Sequence, residues 1–158
     1  MAVGHRHDYK ATLEWTGAVA GPTLDYKTYS REHRVTIPGK PPFLASSDPA
    51  FRGDPTLYNP EDLLVVALAS CHMLSYLALC AGAKVPVVSY SDEATGFMDM
   101  VDGRIRFVEV VLHPRVVIAR GADHAQALRQ HEKAHALCFI ANSVNFPVRN
   151  EPSVTVAD

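Results

Sequence analysis

The apolar and polar positions of the chain divide it into strand-like and helix-like segments, beginning with two strands. Ala11 to Thr16 and Leu24 to Ile37 read as strands, and the turn signal Gly21-Pro22 lies between them. Phe43 to Ser46 can add a short third strand. The next stretch, Ser47 to Tyr58, is rich in proline, glycine and aspartate and predicts a loop.

A long apolar helix is predicted after this loop. Asn59 can cap it, Pro60 suits its first position, and Glu61 places an acid where it favours the positive end of the helix dipole. Gly82 and Pro86 signal its end.

The second half of the chain again places strands before a helix. Val85 to Asp99 and Arg104 to Ala119 are separated by the hairpin signal Asp102-Gly103. A helix should run from its cap at Asp123 to about Ser143, and Ser153 to Val156 can close the fold as a strand. Because short hairpins replace the crossovers of a parallel sheet, we predict an α+β fold with antiparallel β-hairpins around two helices.

Composition narrows the class of protein. The chain has 158 residues, of which 47% are apolar and 20% charged, and it shows no linker, so residues 1–158 should form a single domain. The net charge is -2, and acidic and basic residues are interspersed along the chain. This pattern favours neither nucleic acid nor a membrane surface as partner, and we expect a small molecule instead. Three cysteines and an N-terminus without a signal-peptide core predict a cytoplasmic protein with reduced thiols.

One segment raises the possibility of a membrane span. Leu63 to Ala83 carry no formal charge over 21 residues, which is long enough to cross a bilayer core as a helix. Polar side chains interrupt the run, and its leading flank is acidic. We therefore expect the buried central helix of a globular protein or oligomer, and no membrane. The polar positions are Ser70, Cys71, His72, Ser75 and Cys80.

The cysteines are the candidate chemistry. Cys71 lies in the long helix and Cys138 near the end of the second helical stretch, which suggests a thiol that reacts and a thiol that resolves. Cys80 is nine residues from Cys71 and so on the opposite face of the helix, which predicts a core thiol. Free cysteine is often only a small buried hydrophobe, and this alternative applies to all three.

Three motifs together resemble the OsmC/Ohr family of thiol-dependent hydroperoxide reductases. They are Asn59-Pro60-Glu61-Asp62-Leu63-Leu64, Ala69-Ser70-Cys71 and Ala136-Leu137-Cys138. The ten-residue step from Glu61 to Cys71 also matches, and the resemblance covers most of the chain. It implies an intertwined homodimer with the long apolar helices packed at its centre, which would explain a helix that is apolar all round.

The resemblance also implies roles for individual residues. Cys71 matches the peroxidatic cysteine, Cys138 the resolving cysteine, and Glu61 the carboxylate of the active site. The arginine has two candidate positions: the OsmC branch points to Arg52, and the Ohr branch points to Arg31 or Arg34. We prefer Arg52, with Arg31 as the reserve.

Two positions depart from the family pattern. Leu57-Tyr58 precede the first motif, where smaller residues are expected. His72 follows Cys71, where an aromatic residue is expected. These departures suggest a side branch of the family.

The implied chemistry is the reduction of organic hydroperoxides. A thiol with a pKa near 8.5 needs a nearby cation to become the nucleophilic thiolate, and Arg52, oriented by Glu61, would supply it. Attack leaves a sulfenic acid on Cys71, which Cys138 converts to a disulfide. A small dithiol or a lipoyl-bearing protein would then act as reductant, and no metal or flavin cofactor is required.

Helix geometry restricts how the site can be assembled. Glu61 and Cys71 lie about 15 Å apart along a continuous helix, too far for an arginine bound by Glu61 to reach Cys71 easily. We expect either a site completed across the dimer interface or a helix that is bent or broken between the two residues.

A second motif suggests a different chemistry. His131-Glu132-Lys133-Ala134-His135 has the H-E-x-x-H spacing of zinc proteases, but few residues follow it that could supply a third ligand and a cleft. A solvated helix face explains it more simply, although His131 and His135 could tune the Cys138 thiol or bind adventitious metal. The alternative to the enzyme is therefore a noncatalytic small-molecule-binding or metal-binding member of the same fold.

Overall fold

A computed structural model describes residues 6–158, which form two compact units: one ends at Leu63 and the other begins at Leu64. The expectation of a single domain stays a prediction. The first unit contains one antiparallel sheet with the strand order β1-β2-β3. Its strands are β1 (Thr12–Trp15), β2 (His33–Thr36) and β3 (Phe43–Ala45).

The second strand begins later than predicted. The segment from Leu24 to Glu32 is not a strand, because local hydrogen bonds replace the sheet ladder there. The side chain of Asp25 accepts from the Lys27 N–H at 2.6 Å, and its carbonyl accepts from the Thr28 N–H at 3.2 Å. Aspartate readily forms such turns, which compete with extended structure.

The long helix, α1 (Pro60–Gly82), begins and ends where its signals place it. The Asn59 side chain accepts from the Asp62 N–H at 2.7 Å, and the Asp62 carboxylate accepts from the Asn59 N–H at 3.4 Å. These reciprocal bonds satisfy backbone donors at the helix start. The predicted cap is confirmed.

One face of α1 is buried in the single chain, and the other faces are not. The buried residues recur every four positions: Leu68, His72, Tyr76 and Cys80. Val66 and Leu74 are 58% and 63% exposed. Burial of the helix on every side therefore stays a prediction that requires a second chain.

By length and composition, α1 also meets the requirements of a membrane span, with a mean hydropathy of 2.1 over its most apolar window. Core helices of globular proteins share this property. The absence of a membrane partner stays a prediction.

The second unit contains two mixed three-stranded sheets, with the orders β4-β7-β9 and β5-β6-β8. The predicted α+β fold with antiparallel β-hairpins and two helices is confirmed, and the β6–β8 and β7–β9 pairs add parallel pairing that was not predicted. Strand β8, which has three residues, was not predicted. The strands are β4 (Val87–Asp92), β5 (Thr95–Val101), β6 (Arg104–Leu112), β7 (Pro114–Ile118), β8 (Val148–Asn150) and β9 (Ser153–Val156).

The hairpin between β5 and β6 is confirmed at Asp102-Gly103. Both residues have positive φ, 51° and 76°, as a tight hairpin turn requires. Each long predicted strand is divided in two, however. The second division falls at His113, whose N–H donates to the Asp92 carboxylate at 2.8 Å. The next residue, Pro114, has no N–H to donate to the sheet ladder.

The second helix, α2 (His124–Leu137), begins at the predicted cap Asp123, whose side chain accepts from the Gln126 N–H at 2.9 Å. It ends six residues earlier than Ser143, the predicted end. Cys138 has extended dihedral angles, and the Asn142 side chain donates to the Ala136 carbonyl at 3.0 Å, which satisfies one helix-terminal acceptor. Cys138 therefore lies at the helix end and not within it.

The backbone beside Arg52 has no room for another side chain at Gly53. A Cβ atom there would lie 1.5 Å from the carbonyl oxygen of Ser47. We expect Gly53→Ala to lower the free energy of unfolding by about 1–3 kcal/mol through overpacking. The matched control is Gly82→Ala, where no atom lies within 4 Å of the added carbon. Urea denaturation of both variants checks the prediction, and equal midpoints would contradict it.

Candidate functional site

The structure brings Cys71 and Cys138 together in the second unit. Cys71 lies on α1 and is partly exposed, whereas Cys138, at the end of α2, is 1% exposed. Their side chains are close enough for Cys71 to raise the pKa of the Cys138 thiol, and both thiols are free. Two cysteines that are 67 positions apart in sequence therefore come close together in the fold.

The surroundings of Cys138 keep it protonated. Burial, followed by the hydrogen bond to Cys71, raises the pKa of the Cys138 thiol to about 11. The Ala141 N–H, 3.5 Å from the sulfur, acts in the opposite direction. At neutral pH Cys138 is a thiol that can donate a hydrogen bond to the sulfur of Cys71.

Cys80 belongs to the core. It is 1% exposed and packs in a cluster of buried residues that includes Tyr76, Val116 and Ile118. Burial raises the pKa of its thiol. It therefore occupies the core position that its helical phase predicts.

Two of the three candidate arginines, Arg31 and Arg52, line one pocket of the first unit, with Ser46 and Asp54 among its walls. Arg31 is already engaged: its guanidinium lies 3.7 Å from the ring centre of Tyr29, and its terminal nitrogens donate to the carbonyls of Tyr26 and Tyr29. Arg52 is exposed, with a φ of 65°. Of the two, Arg52 has the freer side chain.

Glu61 does not bind either arginine within the described chain. No ion pair joins it to Arg31 or Arg52 within 4.0 Å among residues 6–158, and its buried Oε2 atom has no hydrogen-bond partner there. The roles of Glu61, Arg31 and Arg52 stay predictions. Because α1 is continuous from Pro60 to Gly82, no break separates Glu61 from Cys71.

The H-E-x-x-H motif does not form a metal centre with the rest of the described chain. His131 is 1% exposed and turned into the core, whereas His135 is exposed. Within residues 6–158, no three His, Cys, Asp or Glu side chains are grouped to hold a metal ion.

The structure contains a buried pair of histidines whose contact was not predicted from the sequence. His72 Nε2 and His131 Nδ1 lie 3.1 Å apart, and the ring of His131 stacks on Tyr76 with 3.8 Å between ring centres. Helical phase offers a signal: His131 precedes Cys138 by seven residues and so shares its face of α2.

Comparison with known proteins decides the family. The family model described as OsmC-like protein matches residues 53–152, more than half of the chain. The chain belongs to the OsmC-like protein family. The matched range contains Glu61, Cys71 and Cys138 and excludes Arg31 and Arg52.

Solved structures agree with this assignment. An OsmC-like protein of unknown function from Vibrio cholerae is 33% identical, with a TM-score of 0.86 over 94% of this chain and 100% of that chain. An organic hydroperoxide resistance protein from Elizabethkingia anophelis, 20% identical, has a TM-score of 0.69 over 97% of this chain and 99% of that one. The second likeness shows the OsmC-like fold alone.

Curated relatives add two partial matches. The uncharacterized protein YmaD of Bacillus subtilis is 25% identical over 101 residues, 61% of this chain and 67% of that protein. The bifunctional purine biosynthesis protein PurH of Caulobacter vibrioides is 44% identical over 55 residues, which are 34% of this chain and 10% of that protein. The OsmC-like chain thus spans only a small part of PurH.

The buried histidines predict that this OsmC-like protein loses stability in acid. Burial, followed by the charge of His135, lowers the pKa of His72 to about 4, and burial, followed by the charge of His72, lowers that of His131 to about 3. An unfolded histidine has a pKa of about 6.5. Below about pH 6.5 the unfolded chain therefore binds protons that the folded chain does not bind. The histidine contribution to the free energy of unfolding is fully present above about pH 6.5 and declines as the pH falls toward 4.

Urea denaturation between neutral pH and about pH 4.5 tests this expectation. The variant His72→Leu/His131→Leu should show a smaller decline than the wild type, and the control His7→Leu, at an exposed histidine, should match the wild type. The same pH dependence in all three proteins would contradict the prediction.

Proposed function

We propose that this OsmC-like protein is a thiol-dependent peroxidase that reduces organic hydroperoxides, with Cys71 as attacking thiol and Cys138 as resolving thiol. The main support is the proximity of a partly exposed cysteine on α1 and a buried cysteine directly after α2. The names of structural relatives as organic hydroperoxide resistance proteins support the substrate class.

In the first step, the thiolate of Cys71 attacks the terminal oxygen of the hydroperoxide. The O–O bond breaks, the substrate leaves as an alkoxide, and Cys71 becomes a sulfenic acid. The partial exposure of Cys71 allows a substrate to reach its sulfur, whereas Cys138 is enclosed. Attack by peroxide is therefore directed to Cys71.

In the second step, Cys138 condenses with the sulfenic acid. A bond forms between the two sulfurs, the S–O bond of Cys71 breaks, and the hydroxyl leaves as water with the thiol proton of Cys138. The proximity of the two side chains supports this step, because a thiol beside the sulfenic acid can react with it before further oxidation. A small dithiol or a lipoyl-bearing protein then reduces the disulfide, in a cytoplasmic setting that keeps thiols reduced.

Activation of Cys71 is assigned to Arg52, oriented by Glu61, from the partner subunit of a homodimer. Glu61 has no ion pair with either candidate arginine inside the described chain, and Arg52 is exposed. The exposed apolar side chains Val66 and Leu74 of α1 supply a surface that a second copy would cover.

Thiol titration tests the chemistry. One equivalent of cumene hydroperoxide should remove two thiols per chain, and a small dithiol should restore them, because one disulfide forms per turnover. Cys71→Ser should lose none, and Cys80→Ser, which alters only the core thiol, should still lose two. Retention of all three thiols by the wild type would support a noncatalytic binding protein instead.

Subunit complementation tests the shared site. Cys71→Ser and Glu61→Gln should each be inactive as homodimers, but a heterodimer keeps one site with both native residues if the site is built from two subunits. Unfolding and refolding an equal mixture should then restore about a quarter of wild-type peroxidase activity. An inactive mixture, with heterodimers shown by native mass spectrometry, would contradict the arrangement.

A further inference from the structure

Two buried histidines join the helices that carry the cysteines, and the chemistry proposed above does not use them. His72 Nε2 and His131 Nδ1 lie 3.1 Å apart, one ring donating and the other accepting. The residues are 0% and 1% exposed. Within residues 6–158, this is the one side-chain hydrogen bond between α1 and α2 besides the cysteine contact.

The neighbouring ring of Tyr76 restricts His131 further. The two rings are nearly parallel, at 16°, with centres 3.8 Å apart. His72 and Tyr76 are one helical turn apart on α1 and so face the same side. The hydrogen bond restricts movement of the His131 ring within its own plane, and the stacking on Tyr76 restricts tilting of that ring. Two residues of α1 therefore fix the orientation of one side chain of α2.

The histidine pair and the cysteine pair contact α2 at two separate points. His131 and Cys138 lie on one face of α2, about 10 Å apart along its axis. Their partners on α1, His72 and Cys71, are neighbours in the chain. Helix α2 therefore crosses α1, and the two contacts lie two turns apart along it.

The buried polar nitrogens of the histidine pair destabilise the core. His72 Nδ1 and His131 Nε2 are buried and have no hydrogen-bond partner within the described chain. Unpaired buried nitrogens destabilise the folded state, and two apolar side chains would fill this space without that penalty. What a hydrogen bond adds over apolar contact is a preferred distance and angle.

We propose that His72 and His131 are positioning residues, whose hydrogen bond holds α2 in the orientation that places Cys138 against Cys71. The inference deepens the proposed function and rests on it. The pair controls the second step, in which the S–S bond forms and the sulfenic hydroxyl leaves as water with the Cys138 proton. The histidines themselves exchange no atoms with the cysteines.

Two double variants separate the hydrogen bond from the packing. His72→Leu/His131→Leu removes the bond and keeps apolar volume. His72→Gln/His131→Asn keeps a bond, because these side-chain amides place polar atoms near the Nε2 and Nδ1 positions. His113→Leu is the matched control outside the two helices. If the double leucine variant does not fold, His72→Leu is compared with His72→Gln, which keeps a polar atom near the Nε2 position.

The first readout is the lifetime of the Cys71 sulfenic acid after one equivalent of cumene hydroperoxide, followed by dimedone trapping and mass spectrometry. The leucine variant should keep the sulfenic acid about tenfold longer or more, because small errors in sulfur position slow a reaction between held groups steeply. The glutamine/asparagine variant and the control should stay close to the wild type.

The second readout needs no peroxide. The fraction of Cys71–Cys138 disulfide is measured in glutathione redox buffers, where the leucine variant should require more oxidising conditions than the wild type for half-formation. If wild-type thiols resist peroxide but this midpoint still shifts, the proposed function fails and the positioning role stands. The positioning role would be overturned if the leucine variant had the sulfenic acid lifetime and the redox midpoint of the wild type. It would also be overturned if both double variants folded and changed these two quantities equally.

Discussion

The crossing of α2 over α1 is the constraint on which the candidate chemistry depends. A disulfide requires Cβ atoms about 3.5–4.5 Å apart, so a small rotation of either helix would separate the sulfurs. One face of α2 is buried at helical spacing and ends at the proposed resolving cysteine: Ala127, His131, Ala134 and Cys138. The burial of this face and the histidine hydrogen bond together orient α2.

The two thiols differ because of where they lie on their helices. Cys71 is in the middle of α1, where the backbone is held on both sides, whereas Cys138 follows the last turn of α2. The buried Cys138 stays protonated at neutral pH, and the partly exposed Cys71 is the thiol that a substrate can reach.

Local signals predicted the elements that depend on local chemistry. The reciprocal cap at Asn59, the positive-φ turn at Asp102-Gly103 and the cap at Asp123 are all formed by residues within a few positions of one another. The predictions failed where distant partners decide. The strand predicted from Leu24 gave way to local turns, and β8 forms only because β6 offers it a parallel edge.

The sequence by itself determined the family, the two α-helix starts and the candidates Cys71 and Cys138, because motif spacing and capping are written in contiguous residues. Only the tertiary structure decided that Cys138 ends α2, that the sheets are mixed, and that His131 bonds His72 instead of facing solvent with His135. Helical phase shows which face a side chain occupies. Packing between segments far apart in the chain determines what that face meets.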